Sequence, residues 1–353
     1  MVIAVSLTMV VTGVFTPPAG AEQAWEPLWQ VVENGPGLEG GPGAFAVDTT
    51  GGRVHITGSG PNGRPQILTY DATDGELLQA REGPYNSGST DIAADPVTGA
   101  YFVTGLRLQS RRDEPPDGSA VAAYDRSGAA LWEATIPDVR ATAIAVDAAR
   151  DRVYISGAGP DPAQINVIVA YRQSTGQLLW TRKPGAGSLL DLAVHPGTGM
   201  VVMGGGGGPL KATAYSSTGW LLWQSSIASP SPGGARFTAL SVASDGVYVM
   251  ATGRRLVNAD DDIDTVAYNL DGTLRWAAAY DGPAAGRDTG RDIAADPVSG
   301  TVVVTGRQEY LTSTGRLDDQ GVIFAYDADD GSPRWVRPEP PASDPPSLVL
   351  SNY

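Results

Sequence analysis

An apolar strand that ends in an acidic turn recurs six times along this chain, and that recurrence limits the available folds more than any other feature. FAVD ends at Asp48, IAAD at Asp95, IAVD at Asp147, LAVH at His195, LSVAS at Ser244 and IAAD at Asp296, at spacings of 47, 52, 48, 49 and 52 residues. Each copy continues with a second strand that stops at a glycine (Gly58, Gly105, Gly157, Gly204, Gly253, Gly306) and a third that ends in Tyr (Tyr70, Tyr124, Tyr171, Tyr215, Tyr268, Tyr326). Eight or nine residues later, after a Gly turn, stand Trp132, Trp180, Trp223, Trp276 and Trp335, with Gln79 in the first copy. A sheet of four short strands cannot bury both faces alone, so such units must stack on one another. The expected fold is all-β, a β-propeller of four-stranded antiparallel blades. The recurrent Trp should fill the space between blades, its indole N–H reaching a backbone carbonyl.

Six blades are expected, with an incomplete seventh as the alternative, because Leu28-Trp29-Gln30-Val31-Val32 reads as a surplus outer strand and Ser347-Leu348-Val349-Leu350 as an inner one. The expected division is a signal peptide over 1–21, a propeller over 22–336 and a Pro-rich tail over 337–353 that carries the closing strand. The leader reading rests on the uncharged apolar run from Val2 to Phe15, the Pro17-Pro18 pair and an Ala19-Gly20-Ala21 cleavage site. No later run reaches the roughly 18 apolar residues of a membrane helix. The product is therefore expected to be secreted, or periplasmic in a two-membrane bacterium, without a membrane anchor.

The units Ala123-Tyr124-Asp125 to Trp132, AYRQSTGQLLW (170–180) and AYDADDGSPRW (325–335) resemble the A-x-D-x-x-T-G-x-x-x-W tryptophan-docking repeat of pyrroloquinoline-quinone-like β-propellers. The resemblance spans roughly 28–336 and implies the fold; many unrelated activities share it. Quinone-dependent alcohol dehydrogenases of this fold have eight blades, a vicinal Cys pair and a catalytic Asp beside a calcium ligand set. This chain has six copies and no Cys. A role comparable to the lipid-anchored propellers of outer-membrane protein assembly lacks its lipidation Cys.

Net charge −15 argues against nucleic acid and anionic membrane surfaces as partners. With no Cys and only His55 and His195, thiol chemistry, zinc centres and His-based triads are poorly supplied, and both histidines read as structural. G-x-G-x-x-G at Gly58 and at Gly35 precedes no helix, so both are turns. Two carboxylate groupings remain as candidates. Asp260, Asp262 and Asp264 have the D-x-D-x-D spacing of a calcium loop, although Thr265 stands where an EF-hand needs Gly and Asp271 where it needs Glu. Asp91, Asp191 and Asp292 each precede the turn residue of an even-numbered copy by four, so they should meet at one mouth of the central channel as a cation or polar-ligand site, or else each accept N–H groups of its own turn. The longest departures between copies are 106–118, 254–264 and 307–321. Loop variation on a constant ring suits a non-catalytic scaffold for an extracellular protein, peptide or glycan; the alternative is a quinoprotein-like or other calcium-dependent enzyme.

Overall fold

The computed structural model describes residues 5–9, 29–33, 42–60, 65–83, 89–106, 118–159, 165–186, 188–206, 211–226, 235–254, 261–338 and 348–349. Six four-stranded antiparallel sheets follow one another as blades 1 to 6, over 42–82, 89–137, 140–186, 188–226, 235–280 and 289–338. Within each, every strand bonds its neighbours in the chain. The expected strands are all present, because the alternating Val, Ile, Ala and Tyr of the second and third strands present an apolar face to both adjoining blades. Their burial is near complete: Tyr101, Phe102, Val103, Tyr154, Ile155, Tyr248 and Val249 are sealed from solvent.

The first strands lie innermost, each packed on the first strand of the next blade from blade 1 to blade 6. Five apolar cores draw on pairs of successive blades, as where Ala46 and Ile67 of blade 1 meet Ile92, Tyr101 and Val103 of blade 2. Blade 1 has a sixth core on its other face, from Phe45, Val54, Ile56, Leu68 and Tyr70. A seventh, three-stranded sheet joins the chain ends: Val5–Met9 pairs antiparallel with Trp29–Glu33 and parallel with Leu348–Val349. Of the Pro-rich stretch Pro338 to Pro346, expected as an extended linker rather than a strand, Pro338 ends the outer strand of blade 6 and 339–346 lie outside the described residues, as do 107–117 and 255–260 of the expected long loops.

The Trp joint forms as the repeat requires. Trp132, Trp180, Trp223 and Trp276 donate their indole N–H to the carbonyls of Gln173, Ser217, Leu270 and Ala328 at 2.7, 3.0, 2.8 and 2.8 Å, each acceptor standing two residues past the Tyr of the next blade. Gln79 does the same work with its amide, on Ser127 O at 3.2 Å. Each indole lies over the turn glycine of the next blade: a Cβ on Gly176, Gly219, Gly272 or Gly331 would come within 2.6 to 2.9 Å of the ring, and all four have positive φ. Gly272→Ala is therefore expected to destabilise the protein by about 2–3 kcal/mol through backbone strain and displacement of Trp223, read as a lowered melting temperature; an unchanged melt would contradict the stacking.

Blade 6 departs twice. Its outer strand, Pro333–Pro338, is exposed at every residue, and Trp335 is 37% exposed where Trp276 is 7% exposed. Segment 307–321, expected as an irregular loop, is instead regular hairpin. Thr301–Leu311 and Leu317–Asp327 pair without interruption from Thr301↔Asp327 to Leu311↔Leu317, standing beyond the rest of the blade.

Candidate functional site

Each inner strand carries a β-bulge, four residues before the turn residue in five blades and five before Ser244 in blade 5, and the bulge position reads Ala44, Asp91, Ala143, Asp191, Ala239, Asp292 around the ring. Asp91 accepts the N–H of Ile92 on one oxygen and of Ile144, in blade 3, on the other, both at 2.8 Å. Asp191 repeats this with Leu192 at 2.8 Å and Leu240 of blade 5 at 2.9 Å. Asp292 accepts Ile293 N–H at 2.8 Å. In the two observed cross-blade ties the acceptor reaches the residue that follows an Ala, whose small side chain lets the carboxylate approach. The three carboxylates lie close enough to sense one another, and they bond backbone, but at the next residue of their own strand and, for Asp91 and Asp191, in the following blade; the turn amides go instead to Asp95, His195 and Asp296.

Each of the three Asp residues is half-buried, yet the protein packed around its carboxyl penalises the charge. Burial pushes Asp91 and Asp292 up to about 7 and Asp191 to about 6, against the lowering effect of their N–H donors. The charges also sense one another, Asp191 and Asp292 raising Asp91 and Asp191 raising Asp292. At neutral pH the ring thus holds a shared, incomplete negative charge.

Asp260 lies outside the described residues. Asp262 and Asp264 are two apart on strand Asp261–Tyr268, both fully buried. They do not form a calcium loop with each other. Asp262 instead joins Asp281 and Asp288, one carboxylate oxygen from each of the three lying within 4.8 Å of the other two. Asp288, fully buried, accepts N–H groups from Gly282 and, at 3.1 Å, from Glu309, so it ties loop 281–288 to the blade 6 hairpin. Burial, then the charges of Asp281 and Asp262, raises its carboxyl to about 6. Sequence reasoning missed Asp281 and Asp288 because their distance along the chain from Asp262 hides the contact. Asp271 caps its own exposed turn on Thr273.

The histidines are structural. His195 Nδ1 accepts N–H from Gly197 and Thr198 at 3.1 and 2.9 Å, as Asp48 and Asp95 accept turn amides in their copies; that places its proton on Nε2, 3.3 Å from Ser244 O in blade 5. His55, buried against Tyr101 at 4.3 Å between ring centroids, pairs with Thr69 at 3.0 Å, and burial lowers it to about 4.

The profile of a family described as outer membrane protein assembly factor BamB matches residues 117–348. Among solved structures, hydrazine synthase of Kuenenia stuttgartiensis is similar at 11% identity and a TM-score of 0.60, over 89% of this chain and 81% of that one. The β-propeller domain of Cps50 (Swd1) from Myceliophteria thermophila is similar at 10% identity and 0.54, over 79% and 82%. At such identities these two show the fold. No curated protein matches. Among the described residues no helix is long and apolar enough to cross a membrane.

Proposed function

Since this chain belongs to the family of outer membrane protein assembly factor BamB, we propose that it is an exported β-propeller serving as a non-catalytic scaffold for a protein, peptide or glycan in the bacterial envelope or outside the cell. One observation carries the reading. The three longest departures between copies, after Leu106, after Arg254 and in the 301–327 hairpin, all fall between second and third strands, and the strand ends that flank them share one face of the ring. The opposite face has the short turns of Asp95, Asp147, His195 and Asp296, each closed on its own backbone or side chains. Export is supported by the apolar run from Val2 to Phe15 and the assembly-factor kinship; cleavage before Glu22 would remove Val5–Met9, the central strand of the three-stranded sheet.

The test is photo-crosslinking in the producing cell from one reporter on each face. A crosslinker at Leu311, 61% exposed at the hairpin tip, should trap a discrete partner, and one at Val298, 86% exposed in an opposite-face turn, should not. Equal labelling from both would remove the facial argument; oxidation of an alcohol or aldehyde by protein loaded with calcium and a quinone would replace the scaffold with an enzyme.

A second, cation-dependent reading is favoured by the Asp262, Asp281 and Asp288 triad. Three carboxylates supply about half of the six to eight oxygens that Ca²⁺ takes. On that reading a hundredfold excess of Ca²⁺ over its Kd adds about 2.7 kcal/mol of stability, seen as a higher melting temperature that Asp288→Asn loses. No shift with Ca²⁺ after chelation would end it.

A further inference from the structure

We propose that the joint between blades 1 and 2 is a seam at which the folded ring opens, and that acid opens it further. Such a seam is independent of what the scaffold binds. In blades 2 to 5 the row of side chains facing the next blade runs from an aromatic or Val through Ala to Trp, as in Phe102, Ala123 and Trp132 or Tyr248, Ala267 and Trp276. In blade 1 the same row is His55, Thr69 and Gln79. An amide thus stands where an indole closes the other four joints, and polar groups stand beside it. They are not all satisfied: His55 Nε2, Tyr101 Oη and Nε and Nη1 of Arg81 are buried without a hydrogen-bond partner. Arg81 lies over the ring of Tyr124 at 4.2 Å, against the Tyr that an indole meets in the other joints, and belongs to none of the ion pairs among the described residues. Arg152 Nε, Tyr154 Oη and Ser156 Oγ are also unpaired in blade 3, but there Trp180 is docked on Ser217 O at 3.0 Å. Separation of blades 1 and 2 gives these atoms the hydration that the closed joint withholds.

The separation is lopsided. At the turn end the two blades are fastened: Arg126 donates to Asp48 at 2.8 Å and to Thr50 at 2.6 Å, and Gln79 reaches Ser127 O. Arg81 stands toward the other end, level with Thr57 and Ile67. Opening therefore pivots on the Asp48–Arg126 pair and parts the face where second strands end and third strands begin. Acid favours the open form through His55. Burial lowers its imidazole to about 4, with Asp48 acting against that fall and Arg53 with it. From the other elements packed there, Arg81, Tyr101 and Tyr124 bring no carboxylate, and Arg126 neutralises Asp48. Asp125 bonds its own turn, and Glu133 is exposed. Once hydrated, His55 returns to 6.5, so opening is favoured about twentyfold more at pH 5 than at pH 7.

Because the chain has no Cys, a single introduced thiol reports on each joint. Val103 and Val249 are equivalent, fully buried positions, in the joints between blades 1 and 2 and between blades 4 and 5. In the full chain, with melting temperature as the folding check, Val103→Cys should react with a dipyridyl disulfide at least about tenfold faster than Val249→Cys at pH 7, each rate taken relative to the unfolded thiol. Between pH 7 and pH 5 the relative rate at Val103→Cys should rise about twentyfold, and the addition of His55→Phe should remove that rise. Restoring the repeat with His55→Phe, Thr69→Ala and Gln79→Trp should bring Val103→Cys down to the rate of Val249→Cys. Equal rates for the two thiols in the otherwise unaltered chain overturn the proposal, as does a pH response that survives His55→Phe or a restored row that leaves the difference intact. The first two comparisons decide the matter even if the triple variant does not fold.

Discussion

Between pH 6.5 and 8 the protein is expected to lose about 1–2 kcal/mol of stability, a few degrees of melting temperature, with Asp91→Asn abolishing roughly half of that slope. The folded carboxyls of Asp91 and Asp292 sit near 7 and that of Asp191 near 6, all above the unfolded value of 3.8. Groups raised in this way favour the folded state below the unfolded value, and their contribution disappears as pH climbs through the folded value. The loss therefore begins above pH 4 and is nearly complete by pH 8. His55 acts in the opposite sense but in a lower window: held near 4 against 6.5, it removes stability as pH falls from 6.5 toward 4. Choosing 6.5 to 8 isolates the channel ring together with a smaller share from Asp288. A flat profile over that interval would show that channel water solvates the carboxylates fully. Asp91→Asn should also lower stability at every pH, since an amide has one acceptor oxygen for the two N–H groups of Ile92 and Ile144.

The second large effect is a contrast between two residues in the same repeat position. Trp276→Ala should cost about 3–5 kcal/mol, and Trp335→Ala under about 1 kcal/mol. Trp276 is 7% exposed, bonded to Ala328 O and set between Tyr248 and Tyr326 at 6.2 and 5.7 Å. Trp335 is 37% exposed, and Arg337 lies 5.8 Å from its ring. Thermal melts of the two variants side by side decide the matter. Losses of equal size would mean that Trp335 is covered in solution.

That contrast marks how far local pattern reaches. Period-two apolar strands closed by Tyr, Gly turns and Trp spell out a blade completely, because every signal lies within fifty residues. Whether a Trp is docked depends on the neighbouring blade, which no motif around Trp335 encodes. The Asp91, Asp191 and Asp292 ring was legible because the repeat itself supplies the register. Asp262 was legible as a carboxylate but not its companions, since Asp281 and Asp288 reach it only through the turn between blades 5 and 6. The 301–327 hairpin escaped notice because its extension is polar, Arg307 to Tyr310 facing Asp318 to Gly321, and polar strands lack the hydrophobic alternation that announces buried ones.

The alternation of Ala and Asp at the bulge has a consequence for descent. Asp91, Asp191 and Asp292 are 100 and 101 residues apart, twice the length of a blade, and each observed tie runs from an even blade to the odd blade after it. The heritable module is then a couplet, an acceptor blade with the donor blade that follows, and the ring is three couplets laid in a circle. Growth or loss of such a ring by a single blade would set two carboxylates, or two alanines, side by side. Lineages of this architecture are therefore expected to change size in steps of two.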